Sequence, residues 1–193
     1  MLPPSLQLLL SWRVVLASQS PRRLDLLTAL GLKFDVIPST FEENLDKSLF
    51  PTPEAYVMEN AKQKAIEVRQ RLQIQGECPE LIIGCDTVDE DDAFRMLSSL
   101  SDSKHHVFSG VALVLPSSNV VHVFCESTAV QFLNLDAATI RAYIATGEPM
   151  DKAGSYGLQG RAKAFVSSVD GCPNNVIGFP VDRFCVEVAP FLT

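Results

Sequence analysis

Residues 14–23 constrain the fold of this 193-residue chain more than any other stretch. An aliphatic run ends in a short serine-rich turn, after which Ser20 suits the N-cap and Pro21 the first position of a helix. An amphipathic segment follows and ends at Gly31, so the predicted order is strand, short loop, helix. The N-terminus of such a helix, with two serines and two arginines, favours an anion such as phosphate. The simpler alternative is a capped helix with two solvated arginines. The candidate anion ligands are Ser18, Ser20, Arg22 and Arg23.

Composition limits the partners of the chain. Hydrophobic residues make up 47% of the sequence, which is enough for a substantial core. The formal net charge is −7, so a broad nucleic-acid-binding surface is not expected. An acidic protein that binds an anion must gather its cations locally. The candidates for that cluster are Arg22, Arg23, Lys62 and Lys64.

The cysteines and the N-terminus bear on location. The five cysteines form no C-x-x-C pair and the three histidines have no metal-ligand spacing, which favours a reducing compartment, the cytoplasm. No apolar run reaches transmembrane length, so no membrane partner is expected. Residues 1–12 lack the basic start and cleavage site of a signal peptide. We expect them to be a leader that packs on one domain, residues 13–193.

Strand and helix patterns alternate along the chain, which predicts an α/β fold. The pattern predicts later strands at 33–38, 80–87 and 164–169 and a hairpin of 107–115 with 120–131 around a turn at 116–119. It predicts helices at 24–30, 52–72, 91–100, 135–146 and 180–188.

Acidic residues mark a candidate catalytic or metal site. Asp86 ends the strand that is most typical of a buried one, where a carboxylate can hold a divalent cation or orient a water. The alternative is an aspartate that caps a turn. Glu42 and Glu43 follow an earlier strand and could complete an all-oxygen magnesium site with Asp86. A solvated surface pair is their simpler interpretation.

Two further segments carry candidate ligands. Lys62 and Lys64 are two residues apart on a helix, so they cannot both face one site, and Lys64 is nearer the apolar face. The glycine-rich run 151–160 permits close approach of backbone to a ligand. Within it Gln159 could read a base edge through its amide, with Tyr156 packing beneath. A tight loop between helix and strand is the alternative.

Taken together, these motifs resemble the Maf family of nucleoside triphosphate pyrophosphatases. The resemblance covers nearly the whole chain and is closest to the eukaryotic Maf domain that also occurs fused to a methyltransferase-like domain. It implies a mixed twisted sheet with flanking helices, in two lobes around a central cleft, often as a homodimer. The matching segments are residues 16–23, 42–43, 61–65, 84–87, 148–154, 156–160 and 178–180.

The resemblance also implies an activity and roles. The reaction is hydrolysis of a nucleoside triphosphate to the monophosphate and pyrophosphate with Mg²⁺ or Mn²⁺, with a preference for the pyrimidines dTTP, UTP and, in some members, CTP. Asp86 matches the catalytic carboxylate and, with Glu42, would hold the metal. The positions that match substrate choice are Arg22, Thr87 and Gln159. Further cleft positions are Ser18, Arg23, Glu42 and Lys64.

This chain departs from the family pattern directly after Val88. About a dozen residues, the size of one β-hairpin, are missing, and with them a family lysine. Four acids stand in their place at residues 89–92. An enzyme that cleans the nucleotide pool is the leading hypothesis. A catalytically impaired nucleotide-binding or regulatory protein is the alternative, and a sugar-phosphate phosphatase, which has no use for a base-reading Gln159, is a third.

Overall fold

The computed structural model describes residues 4–87, 93–151 and 155–192, which form an open, mixed sheet with flanking helices. Its strands are β1 (Val14–Leu16), β2 (Asp35–Val36), β3 (Leu81–Thr87), β4 (Lys104–Leu115), β5 (Val120–Phe132) and β6 (Val166–Asp170). They lie in the order β2-β1-β3-β4-β5-β6. The pairs of β1 with β2 and β3 are parallel, and the later pairs are antiparallel. The predicted α/β class is confirmed.

The helices follow the predicted order with small shifts. They are α1 (Pro21–Ala29), α2 (Pro53–Ile74), α3 (Ala93–Leu100), α4 (Ala137–Ile144), α5 (Pro173–Ile177) and α6 (Val181–Val188), with 3-10 helices at Pro4–Leu10, Lys47–Leu49, Glu148–Asp151, Arg161–Phe165 and Ala189–Phe191. Thr52 caps α2 as predicted, because its hydroxyl accepts a bond from the backbone N–H of Ala55 at 3.3 Å. The expected start of α3, at residues 91–92, lies outside the described residues.

Two sequence-based strand boundaries were wrong, and one short helix was missed. The strand predicted at 33–38 is only Asp35–Val36, because its partner β1 has three residues. The strand predicted from residue 164 begins at Val166, because Arg161–Phe165 forms a 3-10 turn first. Helix α5 was not predicted at all. It has five residues, too few for a helical apolar pattern.

Three apolar clusters divide the molecule into two parts. One cluster lies between the sheet and helices α1 and α6, and it includes Leu6 and Leu9 of the N-terminal 3-10 helix. A second lies under α2 on the opposite face. The third lies at the far end of the β4–β5 hairpin with α3 and α4, around Phe132 and Tyr143. The long hairpin therefore joins a larger lobe to a smaller one. No helix within the described ranges is long and apolar enough to cross a membrane.

Two glycines bring α2 into direct contact with the sheet. A side chain at Gly84 of β3 would overlap the backbone oxygen of Ala61, and one at Gly110 of β4 would overlap that of Val57. Because neither strand has a side chain there, the helix backbone lies on the strands themselves. This close contact brings Lys64 of α2 within reach of the carboxyl end of β3.

Candidate active site

A buried ion pair stands at the carboxyl end of β3. The Nζ of Lys64 lies 2.8 Å from Oδ1 of Asp86 and 2.8 Å from Oε1 of Glu43. The Lys64 and Asp86 side chains are 9% and 6% exposed. Asp86 points to the α2 face of the sheet, as Gly84 does, because alternate residues of a strand share a face. One ammonium therefore holds two carboxylates on two different segments in one geometry.

The two adjacent glutamates occupy different places. The carboxylate of Glu42 is exposed and accepts a hydrogen bond from Nδ2 of Asn44 at 3.2 Å. Glu43 makes the contact with Lys64. The structure thus brings Glu43, and not Glu42, to Asp86. Sequence reasoning had identified both residues but placed Glu42 in the metal site, since the register of a loop is not fixed by any periodic pattern.

Arg23 joins three segments behind this pair. Its Nε donates to the backbone oxygen of Gly178 at 3.0 Å, Nη1 to Oγ of Ser18 at 3.0 Å and Nη2 to Oγ1 of Thr87 at 3.1 Å. The Thr87 and Ser109 hydroxyls also lie 3.0 Å apart. Arg23 has five N–H donors, and these described contacts use three of them. Its guanidinium is therefore partly a structural tie between α1, the end of β3 and the turn before α6.

A cavity of about 270 Å³ opens beside the N-terminus of α1. It is lined by Ala17, Ser18, Gln19, Ser20, Pro21, Arg22, Arg23, Pro38, Ser39, Phe41, Glu43 and Lys64. Ser20 occupies the N-cap position, but its side chain makes no capping hydrogen bond. The N-terminus of the helix, two guanidiniums and one ammonium give this cavity the character of an anion site. The predicted anion ligands at 18–23 all line it.

Gln159 lies elsewhere. It is exposed in a turn of the smaller lobe and is not among the residues that line this cavity. Lys62 points away from the site and pairs with Glu59 at 3.2 Å, as its spacing from Lys64 predicts. The structure therefore gathers three of the four candidate cations, all but Lys62, into one site with Asp86. It leaves the expected base reader on a separate segment.

The carboxylate oxygens around Lys64 are the candidate ligands for a metal ion. Over the described residues there is no group of three or more His, Cys, Asp or Glu side chains that could hold a metal. Mg²⁺ needs no such group, because it is commonly bound through one or two carboxylates together with substrate phosphates and water. Asp86 and Glu43 share Lys64 and are such a pair of oxygen donors. The site thus fits Mg²⁺ or Mn²⁺ bound jointly with a phosphate ligand.

Cys85 and Cys125 are not activated as nucleophiles. Burial raises the pKa of the Cys85 thiol, which lies 3.7 Å from the backbone oxygen of Gly178. Burial and nearby acids raise the pKa of Cys125 to about 12. Both thiols are therefore protonated at neutral pH, and the chemistry of the site is that of oxygen and nitrogen groups.

Sequence reasoning also missed Asn60. It is fully buried on α2, one turn before Lys64 on the same side of the helix. Neither atom of its side-chain amide has a hydrogen-bond partner in the described part of the chain. Leaving such a group unpaired costs about 1–3 kcal/mol, which is typical of a residue kept for a bound water or ligand. A lone asparagine in a helix gives no sequence signal for this.

Comparison with known proteins places these residues in a family. The chain is 47% identical to the human "Probable bifunctional dTTP/UTP pyrophosphatase/methyltransferase protein" over an alignment of 204 positions, which covers 96% of this chain and 33% of that protein. It is 42% identical to the dTTP/UTP pyrophosphatase of Clostridium perfringens, covering 89% and 93% of the two chains. It is also 42% identical to that of Gloeobacter violaceus, covering 93% and 96%.

The chain thus spans a third of the length of the human relative and nearly all of the bacterial ones. Among solved structures, protein VC0702 from Vibrio cholerae aligns with a TM-score of 0.35 at 13% identity over 74% of this chain and 73% of that one, a likeness too loose to bear on the fold. The family model for Maf-like proteins matches residues 13–190. With nearly all of its length matched, this chain belongs to the Maf family.

Proposed function

We propose that this chain hydrolyses pyrimidine nucleoside triphosphates, dTTP and UTP first and CTP after them, to the monophosphate and pyrophosphate. The observation that carries the proposal is Lys64, which is buried between Asp86 and Glu43 at the edge of an anion cavity. A cation, a carboxylate base and a phosphate-sized positive pocket are the groups that phosphoryl chemistry needs. The names of the relatives, dTTP/UTP pyrophosphatases, support the same substrate class.

The triphosphate carries about four negative charges, which an acidic protein must neutralise locally. Arg22, Arg23, Lys64 and the N-terminus of α1 would do so, with Ser18 and Ser20 as hydrogen-bond donors. Mg²⁺ or Mn²⁺, when bound, would be held by Asp86 with Glu43, or with Glu42 as the sequence predicts, and would withdraw charge from the phosphates.

Asp86 is the proposed general base. Water attacks the α-phosphorus, its proton passes to the Asp86 carboxylate, and the bond from the α-phosphorus to the bridging oxygen breaks so that pyrophosphate leaves. Lys64 lies at 2.8 Å from Asp86 and orients its carboxylate at the edge of the cavity. Thr87 and Gln159 would contribute to substrate choice, Gln159 through hydrogen bonds to the base edge.

A catalytically impaired nucleotide-binding protein is the second candidate. The alignment with the human relative spans 204 positions, more than the 193 residues of this chain. That relative therefore carries residues that this chain lacks within the matched span, as expected for a missing hairpin after Val88. Loss of one phosphate-directed lysine would cost on the order of 3 kcal/mol of transition-state stabilisation.

We further propose that the protein acts in the cytoplasm as a homodimer, without nucleic-acid or membrane partners. The net charge of −7 disfavours binding to nucleic acid. All five cysteines are free thiols, which agrees with a reducing compartment. The homodimer rests on the resemblance to the family, and sedimentation of the purified chain would test it.

The test is release of pyrophosphate from dTTP, UTP, CTP, GTP and ATP with Mg²⁺ or Mn²⁺, beside an Asp86→Asn variant. We expect pyrimidine-selective turnover that falls about 10²–10⁴-fold in the variant, because the amide cannot accept the proton. Binding of UTP without turnover would establish the impaired form instead. Release of free phosphate from UMP or sugar phosphates would point to a general phosphatase and overturn the proposal.

A further inference from the structure

The turn that carries Gln159 is held from outside at both of its ends. Within the turn, the N–H of Gly160 donates to the backbone oxygen of Gly157 at 3.0 Å. Before it, the hydroxyl of Tyr156 lies 2.8 Å from Nε2 of His105, and the two rings pack edge to face. Gln159 itself is exposed. Its location is therefore set by neighbours of the turn and not by its own contacts.

Glu148 holds the other end. The N–H of Arg161 donates to Oε1 and Oε2 of Glu148 at 3.1 and 3.2 Å. Arg161 begins the 3-10 helix Arg161–Phe165, whose N-cap is Gly160, a residue with no side chain to accept that bond. Glu148 thus supplies the missing cap from a segment 13 residues earlier. A carboxylate also suits the positive end of a helical turn.

The Glu148 carboxylate is itself fixed against the turn. The hydroxyl of Tyr143, on α4, donates to Oε1 at 3.0 Å. A side chain at Gly160 would overlap the same carboxylate, so glycine is needed for this close approach. Glu148 therefore links the turn to Tyr143 of α4 in the smaller lobe.

We propose that Glu148 is the positioning residue that holds Gln159 where it reads the base of the nucleotide, so that it controls selectivity for pyrimidines. The inference rests on the proposed function. A hydrogen bond to a base edge tolerates only a few tenths of an ångström in distance. An exposed amide on a loose turn would bind any base weakly, whereas an amide held in one place distinguishes a pyrimidine from a purine. Glu148 is not among the described residues that line the anion cavity, so we assign its effect to base recognition and not to the bond that breaks.

The test compares Glu148→Ala with two variants of its contacts. Gly160→Ala places a methyl group where the Glu148 carboxylate lies, so the carboxylate must move away from the N–H of Arg161 although residue 148 is unchanged. Tyr143→Phe removes only the phenol bond and leaves the bonds from Arg161 intact. The readouts are kcat and KM for UTP and GTP by pyrophosphate release, and amide hydrogen exchange over residues 156–161. Melting temperatures show whether each variant is folded.

We expect Glu148→Ala and Gly160→Ala to raise KM for UTP about tenfold with little change in kcat, and to lower the UTP-to-GTP ratio of kcat/KM, because a misplaced group loses orientation. Exchange over residues 156–161 should be faster in both variants. Tyr143→Phe should lower the ratio less than Glu148→Ala does, because Glu148 keeps its bonds from the N–H of Arg161. If kcat/KM falls equally for UTP and GTP in Glu148→Ala, or if amide exchange over residues 156–161 is unchanged, Glu148 has only a structural role. Either result would overturn this inference and leave the proposed function standing. No turnover and no binding of UTP by the unaltered chain would overturn the proposed function and the inference with it.

Discussion

The contact between α2 and β3 and the turn at residues 157–160 are built on different principles. At the first, the proposed catalytic groups are themselves the structural contacts, since Lys64 and Asp86 form a buried ion pair. At the second, the proposed specificity group is exposed, and its proposed anchor Glu148 is not among the described residues that line the anion cavity. Changes at the first region should therefore affect stability and turnover together, whereas changes at the second should separate them.

Replacement of Lys64 is expected to have the largest effect. Lys64→Met keeps the aliphatic chain but leaves Asp86 buried without its cation. We expect loss of about 3 kcal/mol of the free energy of unfolding and a drop in kcat of about 10²-fold or more. Urea unfolding and pyrophosphate release measure the two effects. Lys62→Met on the same helix is the matched control, because Lys62 is exposed and pairs only with its neighbour Glu59 in the described structure. If both variants behave alike, the ion pair contributes nothing.

Gly84→Ala breaks the same region without touching a charge. The added methyl group would overlap the backbone oxygen of Ala61, so α2 must move away from the sheet. We expect destabilisation of about 2 kcal/mol, as for other overpacked cores, and weaker turnover because Lys64 moves with the helix. Thermal unfolding and kcat are the measurements. Normal stability and activity would show that the helix can shift without disturbing the site.

Substitutions of Arg23 and Arg22 should separate an effect on folding stability from an effect on binding of the triphosphate. Arg23 donates to described groups on three segments, so Arg23→Ala should lower the free energy of unfolding by about 2 kcal/mol. Arg22 is half-buried and lines the cavity, so Arg22→Ala should chiefly raise KM for the triphosphate. Denaturant titration and steady-state kinetics separate the two. The assignment fails if Arg22→Ala is the more destabilising change.

The sequence predicts the residues on regular helices and strands better than those in loops. Ser20, Pro21 and Asp86 are fixed by local signals, a helix start and the end of a buried strand, so the sequence predicts their place. Helical spacing likewise separated Lys64 from Lys62. These residues lie on regular elements whose periodicity links sequence to direction.

The contacts made by loop residues could not be predicted from the sequence. The choice of Glu43 over Glu42 depends on the path of a loop with no period. The bond from Arg161 to Glu148 depends on a 3-10 turn of five residues, which no apolar pattern marks. Arg23 donates three hydrogen bonds to Ser18, Thr87 and Gly178. These three residues are far apart along the chain and come together only in the folded protein. Such tertiary contacts carry no local signature.

The smallest expected effect concerns pH and the smaller lobe. Burial, with a lesser contribution from the charge of His106, lowers the pKa of His105 to about 4 from the ordinary value near 6.5. Because the folded pKa is the lower one, His105 stabilises the fold fully above about pH 6.5, and this stabilisation is lost as the pH falls toward 4. Protonation must charge a ring that is packed against Phe132 and Tyr156.

We expect the free energy of unfolding to fall by about 1 kcal/mol between pH 7 and pH 4.5 on account of this residue, a figure reduced for its partial exposure to solvent. His105→Phe keeps an aromatic ring in place and removes the titrating group, so the difference in melting temperature between the two proteins should shrink or reverse as the pH falls. Groups that titrate elsewhere affect both proteins equally. Parallel pH profiles would show that His105 is free to take up a proton in the folded state. Divergent profiles would show that the Tyr156 end of the Gln159 turn is held by a neutral histidine. Acid would then loosen the smaller lobe through His105.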